Sequence, residues 1–110
     1  MVDLGEEQVG NERQRATMTE PCARGRFEIV NNLGLHARAA TKLVQLAARF
    51  HCEIDIVRDG QRANAKSVMG VLLLCGAKGT IVEVSATGPD AEEAVSSIGA
   101  LIAQRFGEDE

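Results

Sequence analysis

Tryptophan and tyrosine are absent from the 110 residues, and the aromatic side chains amount to Phe27, Phe50 and Phe106. Single-stranded nucleic acid is held largely by bases stacking on aromatic rings, so that mode of binding has little to work with here. Basic charge is short as well, since 12 Lys and Arg against 16 Asp and Glu leave a net charge of −4. A groove that follows a phosphate backbone, or a patch that rests on an anionic membrane, needs the opposite sign, and no nucleic-acid partner is expected. Cys22, Cys52 and Cys75 are odd in number and form no C-x-x-C pair. This spacing argues against a disulfide framework or a zinc knuckle and suits a reducing compartment. His36 and His51 have no further ligand residue at metal-binding spacing, so neither a metal nor another cofactor is expected.

Long apolar runs are also missing. The longest nearly apolar stretch, 68–77, is about half of the roughly 20 residues that a membrane span requires, so no membrane insertion is expected. Asp3, Glu6 and Glu7 stand where a signal peptide needs positive charge followed by an apolar segment, and a cytoplasmic location is expected. Residues 1–24 are polar and show no sustained period, which predicts a flexible N-terminal tail ahead of one domain over 25–110.

Regular signals begin at Arg26. Phe27 and Ile29 alternate with Arg26 and Glu28, which predicts a strand over 26–31. Ala40, Leu43, Val44, Ala47 and Phe50 recur at helical spacing, predicting a helix over 37–50. Ile54 and Ile56 alternate with Glu53 and Asp55, and Asp59-Gly60 turns that strand into a short partner over 61–65. Ser67 is a predicted N-cap for a short apolar helix from Val68 to about Leu74. A fourth strand is predicted over 80–86. The stripe Ala91, Ala94, Val95, Ile98, Leu101, Ile102 and Phe106 predicts a last helix that ends at Gly107, with Asp90 as its N-cap. The order βαββαβα implies an α+β open-faced sandwich, a four-stranded antiparallel sheet with three helices on one face. No internal repeat is evident.

The chemistry concentrates at helix starts. In Gly34-Leu35-His36-Ala37-Arg38 an imidazole stands at the mouth of a helix, two residues before a guanidinium. The first turn of a helix leaves backbone N–H groups without partners and carries partial positive charge, so a phosphoryl group on His36 would meet donors already aimed at it. Arg38 is placed to pair with the phosphoryl oxygens. Taken alone, a histidine near a helix start is more often an ordinary solvent-facing residue, with Arg38 an exposed charge. His51 follows the same helix, where a favourable charge at a helix C-terminus accounts for it. At the second helix start Ser67 is a hydroxyl cap beside the adjacent apolar pair Val68 and Met69. Neighbours on a helix cannot both face inward, so one of the two is expected at the surface as part of a docking patch.

These residues carry a resemblance. The span from about Arg26 to Phe106 resembles the HPr family of phosphocarrier proteins of the bacterial phosphoenolpyruvate-dependent phosphotransferase system. Gly34-Leu35-His36-Ala37-Arg38-Ala39-Ala40 is similar to the family's G-[LIM]-H-[AT]-R-P-A motif, and Lys66-Ser67-Val68-Met69-Gly70-Val71 to its serine-site motif. The interval between His36 and Ser67 matches without a gap. The resemblance implies a monomeric carrier, not an enzyme, that accepts a phosphoryl group from enzyme I on Nδ1 of His36 and passes it to an EIIA-type protein. It further implies that Val68 and Met69 belong to the partner surface and that Ser67 is a target of HPr kinase/phosphorylase. Two positions depart from the pattern. Ala39 replaces the family's proline, and Leu33 stands where the sugar-transport proteins often have Asn or Ser. Leu33, Ala77-Lys78-Gly79 and Ala86-Thr87-Gly88-Pro89 look more like the nitrogen-related NPr branch. The alternative from another class is a ferredoxin-like ligand-binding or regulatory module without phosphoryl transfer, since βαββαβ orders are shared by many such domains.

Overall fold

The computed structural model describes residues 21–74 and 76–107. In chain order these form β1 (Cys22–Glu28), α1 (Ala37–Ala47), β2 (Glu53–Arg58), β3 (Gln61–Asn64), α2 (Val68–Leu73), β4 (Ile81–Thr87), α3 (Ala91–Ala103) and a 3-10 turn, Arg105–Gly107. The strands make one sheet in the order β1-β4-β2-β3, with every neighbouring pair antiparallel. The three helices cover one face, as the alternation along the strands requires. Ile54, Ile56, Val82, Val84 and Ala86 point inward and are buried. They meet Leu43 and Ala47 of α1, Val71 of α2 and Ala94, Ile98 and Ile102 of α3 in one core. The opposite face is open and carries the ion pairs Arg24–Glu83 (3.7 Å) and Arg62–Asp55 (2.8 Å).

β1 begins at Cys22 rather than at residue 26. Its first residues pair with β4, Cys22 opposite Thr87 and Ala23 opposite Ala86, so residues 22–24 belong to the sheet and not to a tail. The inward positions there are Ala23 and Gly25, too small to mark an apolar alternation. Pro21 is tied to the fold as well, its carbonyl accepting the Gly88 N–H at 2.9 Å, and residues 1–20 of the expected tail lie outside the described residues. The helix expected over 37–50 closes at Ala47, because the N–H groups of Arg49 and Phe50 donate to Leu46 and Ala47, three residues back, in a tightened end. α3 closes at Ala103, short of Phe106. Arg105 and Phe106 take left-handed backbone (φ 59° and 56°), which turns the Phe106 ring into the core, fully buried. Lys42 Nζ donates to the Phe106 carbonyl at 2.7 Å and ties that turn to α1.

Asp90 precedes α3 but does not cap it with its side chain. Its Oδ2 instead accepts the backbone N–H of His51 at 2.8 Å, linking the start of α3 to the segment after α1. That bond is the main reason the Asp90 carboxyl is held below its ordinary value. Burial, and then the Asp90 carboxylate beside it, pushes the Cys52 thiol up to about 11. Cys52 is therefore an inert core thiol at neutral pH.

Candidate functional site

His36 is the residue immediately before α1. Its backbone is extended (φ −84°, ψ 179°) and its carbonyl accepts the Ala40 N–H at 2.8 Å, the first bond of the helix. The imidazole makes no side-chain cap, and the first turn of α1 contains no acidic residue. The positive end of α1 therefore lies next to half-buried His36 with no acid in the first turn to offset it. Arg38 is exposed in that same turn, while Ala39 is fully buried, so the position where the resemblance expects proline packs into the core.

The loop before His36 is fixed from two sides. Leu35 N–H donates to the Gly76 carbonyl at 2.7 Å, which holds the loop against the chain that leaves α2. Gly34 has φ +65°, and a Cβ on it would run into the Gly76 carbonyl oxygen, so both its backbone and its missing side chain are needed there. Asn31, fully buried, donates from Nδ2 to the Gly34 carbonyl at 2.9 Å. At the exposed side of the same loop, Lys78 Nζ donates to Asn32 Oδ1 at 2.8 Å.

Ser67 caps α2 as expected, its Oγ accepting the Gly70 N–H at 3.1 Å. Lys66 Nζ donates to the Phe50 carbonyl, beyond the C-terminal end of α1 (2.9 Å), whereas Gly76, beyond the other end of α2, bonds the loop of His36. The two helices therefore run antiparallel. The last turn of α2 faces the loop of His36, and Ser67 lies at the opposite end. Val68 and Met69 are both at the surface, 37% and 66% exposed, not one alone. Leu73 and Leu33 join them as exposed large apolar side chains. Leu73 stands four residues after Met69, the spacing of one helix face, and that spacing is the sequence signal that could have found it. Asn31 gave no comparable signal, because a pair of asparagines ending a strand looks like a solvated turn.

Two surface clefts of about 500 and 530 Å³ gather around Arg26, Arg58 and Glu83 and around His51, Cys52 and Lys66, and neither is lined by His36. Among the described residues no group of three or more His, Cys, Asp or Glu is placed to hold a metal ion. No helix of the described residues is long and apolar enough to cross a membrane.

Comparison with known proteins gives a consistent answer. A family model described as "PTS HPr component phosphorylation site" matches residues 23–104. A phosphocarrier protein HPr from Cupriavidus necator is 49% identical over 82 residues, covering 74% of this chain and 92% of its own. A phosphocarrier protein NPr from Escherichia coli K12 is 47% identical over 83 residues, again covering 74% and 92%. Among solved structures, an HPr from Thermoanaerobacter tengcongensis superposes with a TM-score of 0.77 at 41% identity, covering 80% of this chain and 99% of that one.

Proposed function

This chain belongs to the PTS HPr family and is a phosphoryl carrier of the phosphotransferase system, and from that premise we propose that His36 is the acceptor. The observation that carries the reading is the placement of His36: a half-buried imidazole immediately before a helix whose first turn holds no acidic residue. The ring nitrogen forms a bond to phosphorus as the bond from phosphorus to enzyme I breaks, and the same exchange in the other direction hands the group to an EIIA-type acceptor. The first-turn amides and the Arg38 guanidinium stabilise the three phosphoryl oxygens. The ferredoxin-like ligand-binding alternative is not favoured, because the family match covers residues 23–104, nearly all of the described fold.

The partner surface is built from two kinds of residue. Arg38, Lys42 and Gln45 lie at helical spacing along one face of α1, that helix contains no acid, and Arg49 follows just past its C-terminal end. In a chain of net charge −4 this spreads positive charge along the helix that starts at His36, with Arg38 nearest to it, which suits an acidic partner and speeds its encounter. Val68 and Met69, with Leu33 and Leu73, supply exposed apolar area for the centre of the contact. A carrier that must meet enzyme I and then an acceptor through one surface works as a single copy, consumed and regenerated stoichiometrically, in the cytoplasm.

Ser67 is a site of regulatory phosphorylation by an HPr kinase/phosphorylase in this reading. Its phosphate would bring about −1.5 to −2 charges next to Val68 and Met69. HPr and NPr relatives match at nearly equal identity, 49% and 47%, while the apolar Leu33 favours the nitrogen-related branch.

Incubation with phosphoenolpyruvate and a catalytic amount of enzyme I tests the reading. One acid-labile phosphoryl group per chain is expected, and no mass gain under conditions that charge a known HPr would refute it.

A further inference from the structure

Among the described residues Asn31 is the one buried polar side chain, 0% exposed at the edge of an otherwise apolar core. It takes hold of Gly34 twice. Its backbone oxygen accepts the Gly34 N–H at 3.2 Å, and its Nδ2 donates to the Gly34 carbonyl at 2.9 Å. The same carbonyl oxygen accepts the N–H of His36, also at 2.9 Å. Asn31 and His36 therefore share one acceptor. The other end of the amide, Oδ1, is buried with no hydrogen-bond partner among the described residues. A buried acceptor left unpaired is destabilising, and a leucine of similar shape would fill the same space without it. Packing alone does not account for an amide at this position, whereas the Gly34 carbonyl does.

We propose that Asn31 is a positioning residue for phosphoryl transfer: by fixing the Gly34 carbonyl that also holds the His36 N–H, it sets the line along which the imidazole meets phosphorus. The proposal rests on His36 being the acceptor. Gly34 has no side chain to limit its backbone, so the Asn31 amide restrains a peptide that would otherwise rock and carry the ring with it. The N–H of that same peptide, on Leu35, donates to the Gly76 carbonyl on the opposite side, so the Asn31 bond fixes the end about which the peptide could still pivot. A buried Asn31 cannot touch a partner protein, so its loss should act on the rate within the complex and not on the affinity that forms it. Misplacing a nucleophile by a fraction of an ångström to an ångström is costly to rate while leaving the contact surface unchanged.

Steady-state transfer from enzyme I, measured against carrier concentration, tests this with Asn31→Leu. The expected result is a kcat lower by about tenfold to a hundredfold at an unchanged KM, in a protein that melts no earlier than wild type by more than a few degrees. An unchanged kcat, or a KM that rises while kcat holds, overturns the proposal. If the leucine variant does not fold, Asn31→Ser carries the same comparison. The wild-type protein supplies a reading that needs no variant: the Asn31 side-chain amide resonance should shift when His36 is phosphorylated, and a resonance that stays in place overturns the proposal. Phosphate appearing equally in His36→Ala would overturn the acceptor assignment and this proposal with it. The two failures are told apart by whether wild type and His36→Ala differ.

Discussion

Replacing Ser67 by alanine and by aspartate separates what that hydroxyl does for the fold from what a charge there does to docking. In Ser67→Ala the Oγ that accepts the Gly70 N–H is lost. An N-cap of this kind contributes about 1 kcal/mol, and α2 has only the six residues Val68–Leu73 over which to recover it. For a domain of this size about 1 kcal/mol corresponds to a melting temperature lower by roughly 4–8 °C. Ser67→Asp keeps a capping oxygen and adds a negative charge at the positive end of α2, an arrangement favourable by about 0.3–1 kcal/mol. It should therefore melt at or above wild type. Transfer should run in the opposite order. The alanine variant leaves the exposed Val68 and Met69 unchanged and should accept phosphate from enzyme I like wild type. The aspartate variant puts an anion beside an apolar contact that also meets an acidic surface, so it must be desolvated and repelled on binding. Thermal melts together with transfer kinetics give both orders in one set of samples. The reasoning is refuted if Ser67→Asp melts as low as Ser67→Ala, or if its KM for enzyme I equals that of wild type.

Other consequences are as specific. Arg38 is exposed, so Arg38→Ala should change stability by no more than about 0.5 kcal/mol while slowing transfer markedly, and equal transfer rates would show that the helix amides suffice. Asp90 has a lowered pKa in the fold, so the stability that its bond to His51 supplies is present above the ordinary 3.8 and lost as pH falls below it through the lowered folded value. Asp90→Asn should accordingly melt below wild type at neutral pH, with the difference shrinking in acid melts. Cys52, raised to about 11, should resist alkylation at mildly alkaline pH while the exposed Cys22 is labelled, which peptide mass spectrometry of iodoacetamide-treated protein reads directly.

The parts of the fold legible in the sequence are those that local chemistry dictates. His36 and Ser67 stand at helix starts because of the residues that follow them, and both starts are where the periodicity placed them. The element order followed from alternation and helical spacing in the same way. Pieces that depend on distant partners were not legible. β1 extends back to Cys22 because β4 pairs with it, and nothing in Cys22-Ala23-Arg24 signals that. Phe106 shares the stripe of α3, yet reaches the core through a left-handed turn that periodicity cannot tell from another helical turn. Asp90 has the composition of a cap and serves the His51 N–H instead, a partner 39 residues away in sequence. Asn31 reads as a turn residue, and only the fold reveals it as the buried amide under the loop of His36.

The central claim, that the phosphoryl group resides on His36, is tested most directly by charging wild type, His36→Ala and His51→Ala with phosphoenolpyruvate and enzyme I and weighing the intact chains. Position predicts the outcome, since His36 opens α1 whereas His51 follows its C-terminal end. Wild type and His51→Ala should each gain one acid-labile phosphoryl group and His36→Ala none, with all three melting alike. A His36→Ala protein that still gains the phosphate, or a His51→Ala protein that fails to, would contradict the account.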